Sequence, residues 1–168
     1  MIETERLILT RPTLADFEDS FAMNSDPGLV EFIGGKPASR EDAWNKLLRN
    51  IGHWASYCYG MCTVREKAGG AFVGEVGLAH FSRGFGEAFD PFPEAAWVLA
   101  RTAHGNGYTT EAAAAVHAWM HQSQKPLRTV CIIHPDNRAS IRVAEKLGYI
   151  GFGAVDYRGA CLTMFERK

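Results

Sequence analysis

The 168-residue chain lacks the features that mark secreted, membrane and nucleic-acid-binding proteins. Its four cysteines, Cys58, Cys62, Cys131 and Cys161, show neither paired zinc-type spacing nor a disulfide framework, so we expect small apolar packing residues and no metal. The apolar stretches fall far short of about 20 residues, and the N-terminus has no signal-peptide core. With 18 basic and 19 acidic residues, the net charge of -1 supplies no basic field for nucleic acid. These absences favour a cytoplasmic protein that binds neither membrane nor nucleic acid.

What the sequence does have is an ordinary globular composition, 46% hydrophobic and 22% charged. Because about 150 residues is a typical domain size, we predict a single domain over residues 1–168. The strand–helix–strand unit in residues 94–134 indicates a right-handed parallel crossover, whereas hairpins on either side indicate antiparallel pairs. The predicted fold class is therefore α/β with a mixed sheet.

Hydrophobic periodicity and turn residues divide the chain into alternating elements. Strands are predicted at 6–11, 59–65, 71–81, 94–100, 128–134, 149–157 and 160–166. Helices are predicted at 12–24, 39–57, 107–122 and 137–147. The stretch 83–93, rich in Gly, Phe and Pro, is predicted to be a loop.

The most informative stretch, residues 101–112, joins a predicted strand to a predicted helix. Gly105 and Gly107 allow a tight turn and close approach of a ligand to the main chain. Successive N–H groups at a helix start bind phosphate, although a plain strand-to-helix turn explains the same residues. Thr110 stands where a dinucleotide fingerprint has its third glycine, and no P-loop lysine follows, so other nucleotide-binding folds are disfavoured.

A second informative stretch, residues 136–149, follows the next strand of the same crossover. Ligands of open parallel sheets bind outside the carboxyl ends of the strands, so this helix start shares an edge with the glycine turn. Asn137 and Ser140 lie three residues apart and face the same side. They are either ligand contacts or a capping pair in which Asn137 is the N-cap.

Together these stretches resemble the GNAT superfamily of acyl-CoA-dependent N-acetyltransferases, in the branch of the ribosomal-protein N-terminal acetyltransferases. The resemblance covers nearly the whole chain, in motifs at 5–12, 74–78, 97–99, 104–112, 137–140 and 145–149. It implies a mostly antiparallel sheet with a central splayed parallel pair and flanking helices. One position departs: Thr102 stands where the superfamily often has Gln or Arg, and Arg101 is displaced by one.

The resemblance implies acetyl-CoA as co-substrate, held in a groove between the splayed strands. Its pyrophosphate would lie on the turn amides, its pantetheine arm would pair with a strand edge, and a strand N–H would hold the thioester oxygen. The side chain of His104 is expected to be structural. The implied cofactor contacts are Val98, Leu99, His104, Gly105, Asn106, Gly107, Tyr108, Thr109 and Asn137.

The implied reaction is direct attack of a primary amine on the thioester. It needs a base for the amine proton and an acid for the leaving thiolate. Ser140 matches the hydroxyl that serves as the acid in the nearer relatives. Glu94 is the first candidate for the base, with Asp156, Glu75 or water as alternatives.

The acceptor amine belongs to a peptide N-terminus or a small molecule. We expect the loop 83–93 to line the acceptor side, with the second helix as the other wall through His53, Trp54 and Tyr57. The alternative function is a non-catalytic module that binds or senses acyl-CoA. The paired strands near the C-terminus would suit a homodimer, which the sequence does not require.

Overall fold

The computed structural model describes residues 1–30, 36–123 and 128–168. The strands in these ranges are β1 (Ile2–Glu3), β2 (Leu7–Thr10), β3 (Met61–Glu66), β4 (Phe72–Ala79), β5 (Glu94–Leu99), β6 (Thr129–Ile133), β7 (Ile150–Tyr157) and β8 (Ala160–Arg167). The α-helices are α1 (Phe17–Asn24), α2 (Pro27–Val30), α3 (Arg40–Tyr57), α4 (Tyr108–Ser123) and α5 (Arg138–Lys146).

All of these strands join one sheet in the order β1-β2-β3-β4-β5-β6-β8-β7. Each neighbouring pair is antiparallel except β5 and β6, which run parallel and are connected through α4. The predicted α/β class, with a mostly antiparallel sheet and one central parallel pair, is confirmed.

The predicted elements are present, with bounds that differ by a few residues. The sequence analysis missed β1 and α2, because segments of two and four residues are too short to show a periodicity. The predicted helix at 12–24 begins as a 3₁₀ turn, Leu14–Asp16, before α1. No helix in the described ranges is long and apolar enough to cross a membrane.

Local capping explains where α3 and α5 begin, the two helices that line the groove described below. Ser39 Oγ accepts a hydrogen bond from Asp42 N at 3.1 Å, and Asp42 Oδ2 accepts one from Ser39 N at 3.3 Å, so α3 starts with a capping box. Asn137 caps α5, because its Oδ1 accepts from Ser140 N at 3.1 Å. Both starts point their first turns at the same groove.

The main hydrophobic core joins the sheet to α4, and a smaller cluster of Phe17, Ala43 and Leu47 joins α1 to α3. Two of the cysteines, Cys62 and Cys131, pack in strands as predicted. The other two, Cys58 and Cys161, are exposed free thiols, so the apolar-packing prediction is wrong for them.

Candidate active site

The sheet forks between β5 and β6. Glu94 lies opposite Val130, where Val130 N donates to Pro93 O at 3.0 Å, and this is the single register pair that the described strands share. By contrast, β5 pairs with β4 along its full length from Glu94 to Leu99. The facing edges of β5 and β6 beyond Glu94 therefore offer main-chain groups to an extended ligand.

A groove of about 1220 Å³ follows this fork. One part, the fork half, is lined by residues 95–98 of β5, residues 131–133 of β6, and Asn137 and Ser140. The opposite part, the helix half, is lined by Asp42, Asn45, Lys46, Arg49 and Asn50 of α3. The groove is larger than a typical small-ligand pocket, so it has room for a long ligand beside a second one.

The glycine turn lies between the end of β5 and α4. Gly105 and Gly107 have φ values of 80° and 77°, a region that strains other residues. Because α4 begins at Tyr108, the first N–H groups of the helix lack intrahelical partners beside this turn. His104 Nε2 lies 3.0 Å from Leu99 O, which anchors the turn to β5. The geometry fits a phosphate group.

The N-terminal segment fixes the turn from outside. Glu111, in the first turn of α4, accepts hydrogen bonds from Thr4 Oγ1 at 2.5 Å and Arg6 Nε at 2.8 Å. Arg6 Nη1 in turn donates to Asn106 O at 3.0 Å. The start of α4 is thus tied to the segment that joins β1 to β2.

Ser140 lies on the groove wall in the first turn of α5. Its Oγ accepts a hydrogen bond from Trp97 Nε1 at 3.2 Å. Because an indole N–H only donates, the hydroxyl proton of Ser140 stays available to a group in the groove. Trp97 therefore orients the oxygen without consuming the proton.

Glu94 stands at the closed end of the fork and is 4% exposed. Both of its oxygens bind Arg83, at 2.6 Å from Nε and 2.8 Å from Nη2. Burial raises the pKa of Glu94 above its ordinary value, against the opposing effect of Arg83. The Arg83 guanidinium also packs over Phe81 and Tyr157, with 4.9 Å and 5.0 Å to the ring centroids.

The other candidate bases are placed differently. Glu75 is buried under α1 and α3, where its Oε1 accepts from Ser20 Oγ at 2.5 Å and its Oε2 lies 2.7 Å from Lys46 Nζ. Asp156 is exposed on β7 and is not part of the groove wall. Of the three predicted carboxylates, the structure brings Glu94 to the groove surface with Ser140.

The loop 83–93 meets the groove only through Arg83 among its residues. Asp90 instead accepts from Gly86 N at 2.7 Å and folds the loop on itself, and Phe89 is buried. The expectation that this loop's aromatic and acidic residues line the acceptor side is therefore wrong. Phe85 packs against Phe89 within the loop and against Tyr157 of β7, at 5.3 Å and 5.5 Å between ring centroids, and Phe92 lies under the Arg128 guanidinium.

The second predicted helix, which is α3, does form a wall of the groove. The residues that line the groove lie earlier along the helix than the predicted His53, Trp54 and Tyr57. His53 Nδ1 lies 2.7 Å from Tyr59 O, and His53 Nε2 accepts a hydrogen bond from His80 N at 2.9 Å. Trp54 is buried, and its Nε1 donates to Met61 O at 2.7 Å. Those side chains hold the end of α3 against the sheet. The wall of the groove comes from the preceding turns.

The sequence analysis missed Lys46 and Asn50 in that wall. Lys46 Nζ donates to Asn24 Oδ1 at 2.8 Å and pairs with Glu75. Asn50 is 4% exposed. The signal that would have found Asn50 is its spacing from Leu47 and Trp54, which places a carboxamide on the buried side of the helix.

Solved acetyltransferase structures share this fold, in which the sheet forks at a parallel pair that precedes the glycine turn. Residues 6–150 match the family described as the acetyltransferase (GNAT) domain. The chain belongs to this GNAT family, and the predicted resemblance is confirmed.

Two relatives match closely over most of the chain. A Bordetella pertussis protein assigned to the GNAT acetyltransferases is 34% identical, with a TM-score of 0.90, and the match covers 99% of this chain and 98% of that one. The uncharacterized protein YkkB of Bacillus subtilis (strain 168) is 27% identical over 148 residues, covering 86% of this chain and 81% of YkkB.

More distant structures share the fold alone. The spermidine N-acetyltransferase of Vibrio cholerae, solved with CoA and spermine, is 13% identical with a TM-score of 0.76, over 98% of this chain and 96% of that one. A Salmonella typhimurium acetyltransferase that modifies the N-terminal serine of ribosomal protein L7/L12 is 15% identical, with a TM-score of 0.77 over 98% and 95%.

Proposed function

We propose that residues 1–168 form one acetyl-CoA-dependent N-acetyltransferase domain that acts on the primary amine of a small molecule or a peptide N-terminus. The observation that carries this proposal is the fork, whose described strands share one register pair and open onto a groove, with the glycine turn following at the end of β5. Main-chain edges and a phosphate-binding turn suit the two chemically different parts of acetyl-CoA. The CoA complex of the spermidine enzyme, which has the same fold, supports this choice.

In this proposal the pyrophosphate rests on the amides of the turn and the pantetheine arm lies along the open edge of β5. The bound co-substrate supplies the acetyl thioester. The main-chain groups of Val98 and Leu99 align the arm, and an N–H of this strand holds the thioester oxygen. The residues proposed to hold it are Val98, Leu99, His104, Gly105, Asn106, Gly107, Tyr108, Thr109 and Asn137.

Ser140 is the proposed general acid. Its hydroxyl faces the groove with its oxygen fixed by Trp97, so its proton can pass to the thiolate as the acyl–sulfur bond breaks, while the serine oxygen regains a proton from solvent water. A thiol has a pKa of about 8.5, and the sulfur leaves more readily as the neutral thiol than as the thiolate.

Glu94 is the proposed acceptor of the amine proton. It is the predicted carboxylate on the groove wall, and burial raises its pKa towards that of a useful base. Because both oxygens bind Arg83, the proton reaches Glu94 through a water molecule or after one Arg83 bond opens. Asp156, on the exposed face of β7, is less suited to this role.

The same ion pair favours a second candidate function, an acyl-CoA-binding module without turnover. A carboxylate held by two hydrogen bonds from Arg83 is also what a purely structural role requires, in which Glu94 fixes the loop to β5. In that case acetyl-CoA binds tightly, but no amine is acetylated.

The test is acetylation of a panel of primary amines by the protein and acetyl-CoA, with Ser140→Ala as the matched variant. Because Cys58 and Cys161 are exposed thiols, products are followed by mass spectrometry rather than by thiol titration. Amine-dependent product that falls in the variant supports the enzyme. Tight acetyl-CoA binding with no product from any amine supports the binding module.

A further inference from the structure

We infer that the helix half of the groove recognises an acidic group, so that the preferred acceptor is a primary amine that also carries a carboxylate or a phosphate. This inference rests on the proposed function and names the substrate class of the same site. Three neighbouring residues of α3, Lys46, Arg49 and Asn50, carry the argument.

Asn50 is a buried carboxamide without a protein partner. Its side chain is 4% exposed and lines the groove, yet it has no hydrogen bond to any residue in 1–30, 36–123 or 128–168. Its carboxamide is therefore free to donate to, or accept from, a polar ligand atom at this point of the groove.

Lys46 presents a positioned ammonium four residues earlier on the same face. Nζ donates to Asn24 Oδ1 at 2.8 Å and forms an ion pair with Glu75 Oε2 at 2.7 Å, so these two partners occupy at most two of its three N–H donors. Its side chain remains 26% exposed and lines the groove, so the third donor is available to a ligand. Two fixed partners hold the group in place before any acceptor binds.

Arg49 adds a guanidinium that has no carboxylate partner in the part of the chain that the structure describes. The groove wall as a whole carries more cations than anions. Its basic residues are Lys36, Lys46, Arg49, Arg83 and Arg158, and its acidic residues are Asp42 and Glu94. A guanidinium beside a carboxamide and an ammonium matches the donor set that carboxylate or phosphate oxygens accept.

The position of this cluster suits an acceptor rather than the phosphates of acetyl-CoA. Glu75 of β4 lies directly opposite Val98 of β5. Lys46, whose ammonium pairs with Glu75, therefore lies at the level of the strand edge that is proposed to align the thioester. The phosphates are assigned instead to the turn after β5. An acid group bound at the cluster would bring the amine of the same molecule close to the fork, whereas a polycationic amine would meet like charges.

The experiment compares amines that differ in one acidic group: β-alanine against β-alaninamide, and phosphoethanolamine against ethanolamine. With saturating acetyl-CoA, we expect kcat/KM to favour the acidic member of at least one pair by about 10- to 100-fold, as for hydrogen bonds to charged groups. The pair that shows the preference distinguishes carboxylate from phosphate. Arg49→Gln and Asn50→Ala should reduce the preference, and Asn50→Asp should abolish it.

Arg40→Gln is the matched control, since Arg40 begins the same helix outside the groove and pairs with Glu18 on the exposed surface. It should keep the preference. Lys46 is left intact because its loss would strand the buried Glu75 carboxylate. Circular dichroism and acetyl-CoA binding by calorimetry confirm that each variant is folded.

Equal kcat/KM within both pairs would overturn the inference while leaving the acetyltransferase in place. A rise in the KM of acetyl-CoA in Arg49→Gln, with the amine preference unchanged, would also overturn it by giving Arg49 to the co-substrate. If no amine is acetylated, the proposed function fails by itself. Calorimetry with the four amines then decides the inference: acidic members that bind and lose affinity in Arg49→Gln support it, and absence of such binding overturns it.

Discussion

The two halves of the groove are built from different parts of the polypeptide. The fork half consists of the open edges of β5 and β6 with Asn137 and Ser140 beside them, and the glycine turn follows at the end of β5. The helix half consists of side chains that α3 projects over the sheet. In the proposed function, this difference lets the main chain of the fork hold the constant co-substrate while helix side chains select the acceptor.

The separation has a mechanical basis. Strand edges and turn amides are fixed by the sheet and by the hydrogen bonds of the Arg6–Glu111 pair to the start of α4. Side chains of α3 can be exchanged without disturbing those bonds. Substitutions in the two halves should therefore change different steps, and the following variants test this from the largest expected effect to the smallest.

Ser140→Ala tests the proposed general acid of the fork half. Loss of a general acid costs about 10²- to 10⁴-fold, so we expect kcat to fall by this factor while acetyl-CoA affinity and thermal stability stay unchanged. Steady-state kinetics and calorimetry measure the two quantities. Ser56→Ala, on the exposed end of α3, is the control, and equal kcat values in the two variants would remove Ser140 from the mechanism.

Glu94→Gln tests whether the carboxylate at the closed end of the fork reacts or only braces Arg83. Removing one partner of a buried ion pair costs about 3–5 kcal/mol of the free energy of unfolding, and loss of a base would lower kcat and remove the acidic limb of its pH profile. Urea unfolding and the pH dependence of kcat separate the two effects. Arg83→Lys keeps a cation and should retain the limb; a Glu94→Gln enzyme that also retains it would show that Glu94 is structural.

His117 belongs to a buried hydrogen-bonded chain that ends at the start of β6, one of the two strands of the fork. It is buried, its Nε2 lies 3.1 Å from Tyr149 OH, and that hydroxyl is 2.8 Å from Thr129 Oγ1 at the start of β6. Burial lowers the pKa of His117 to about 4, so the unfolded chain binds the extra proton first. The free energy of unfolding should then fall by up to about 3 kcal/mol as the pH drops from the ordinary histidine value towards 4.

Urea titrations of wild type and His117→Gln across this pH range check that expectation. The variant should show a flatter pH dependence, because glutamine does not titrate. Parallel curves would mean that His117 contributes no pH dependence to the stability of the fork half.

Gly105→Val tests the turn against a site with the same backbone strain. Gly105 and Gly159 have φ values of 80° and 82°, and a Cβ at either would meet no atom within 4 Å. Valine should therefore destabilise both by about 1–2 kcal/mol. Only Gly105→Val should weaken acetyl-CoA binding, by about tenfold or more, and equal affinities in the two variants would show that the turn does not hold the phosphates.

The fold was largely predictable because its signals are local. Gly148 after the α5 pattern, Ser39 before α3 and the β-branched run at 129–133 mark elements whose bounds the structure confirms within a few residues. The glycine turn and the Asn137–Ser140 pair were likewise visible, because backbone strain and capping demand particular residues at particular spacings.

The helix half was not predictable in the same way. Lys46 and Arg49 are typical of an exposed helix surface, and only the packing of α1 and β4 against α3 makes Lys46 a fixed group beside Glu75. The loop 83–93 misled for the converse reason. Its acidic and aromatic residues look available in the sequence, whereas Asp90 and Phe89 are consumed by the loop's own fold.

The most direct test of the account is thermal unfolding with acetyl-CoA, with ATP and NAD as controls. A ligand at about 100 times its Kd adds roughly 2.7 kcal/mol, which for a chain of this size raises Tm by about 5–10 °C. The account predicts this rise for acetyl-CoA alone, reduced by about half or more in Gly105→Val and unchanged in Arg49→Gln. No rise at millimolar acetyl-CoA, or an equal rise with ATP, would contradict the assignment of the fork.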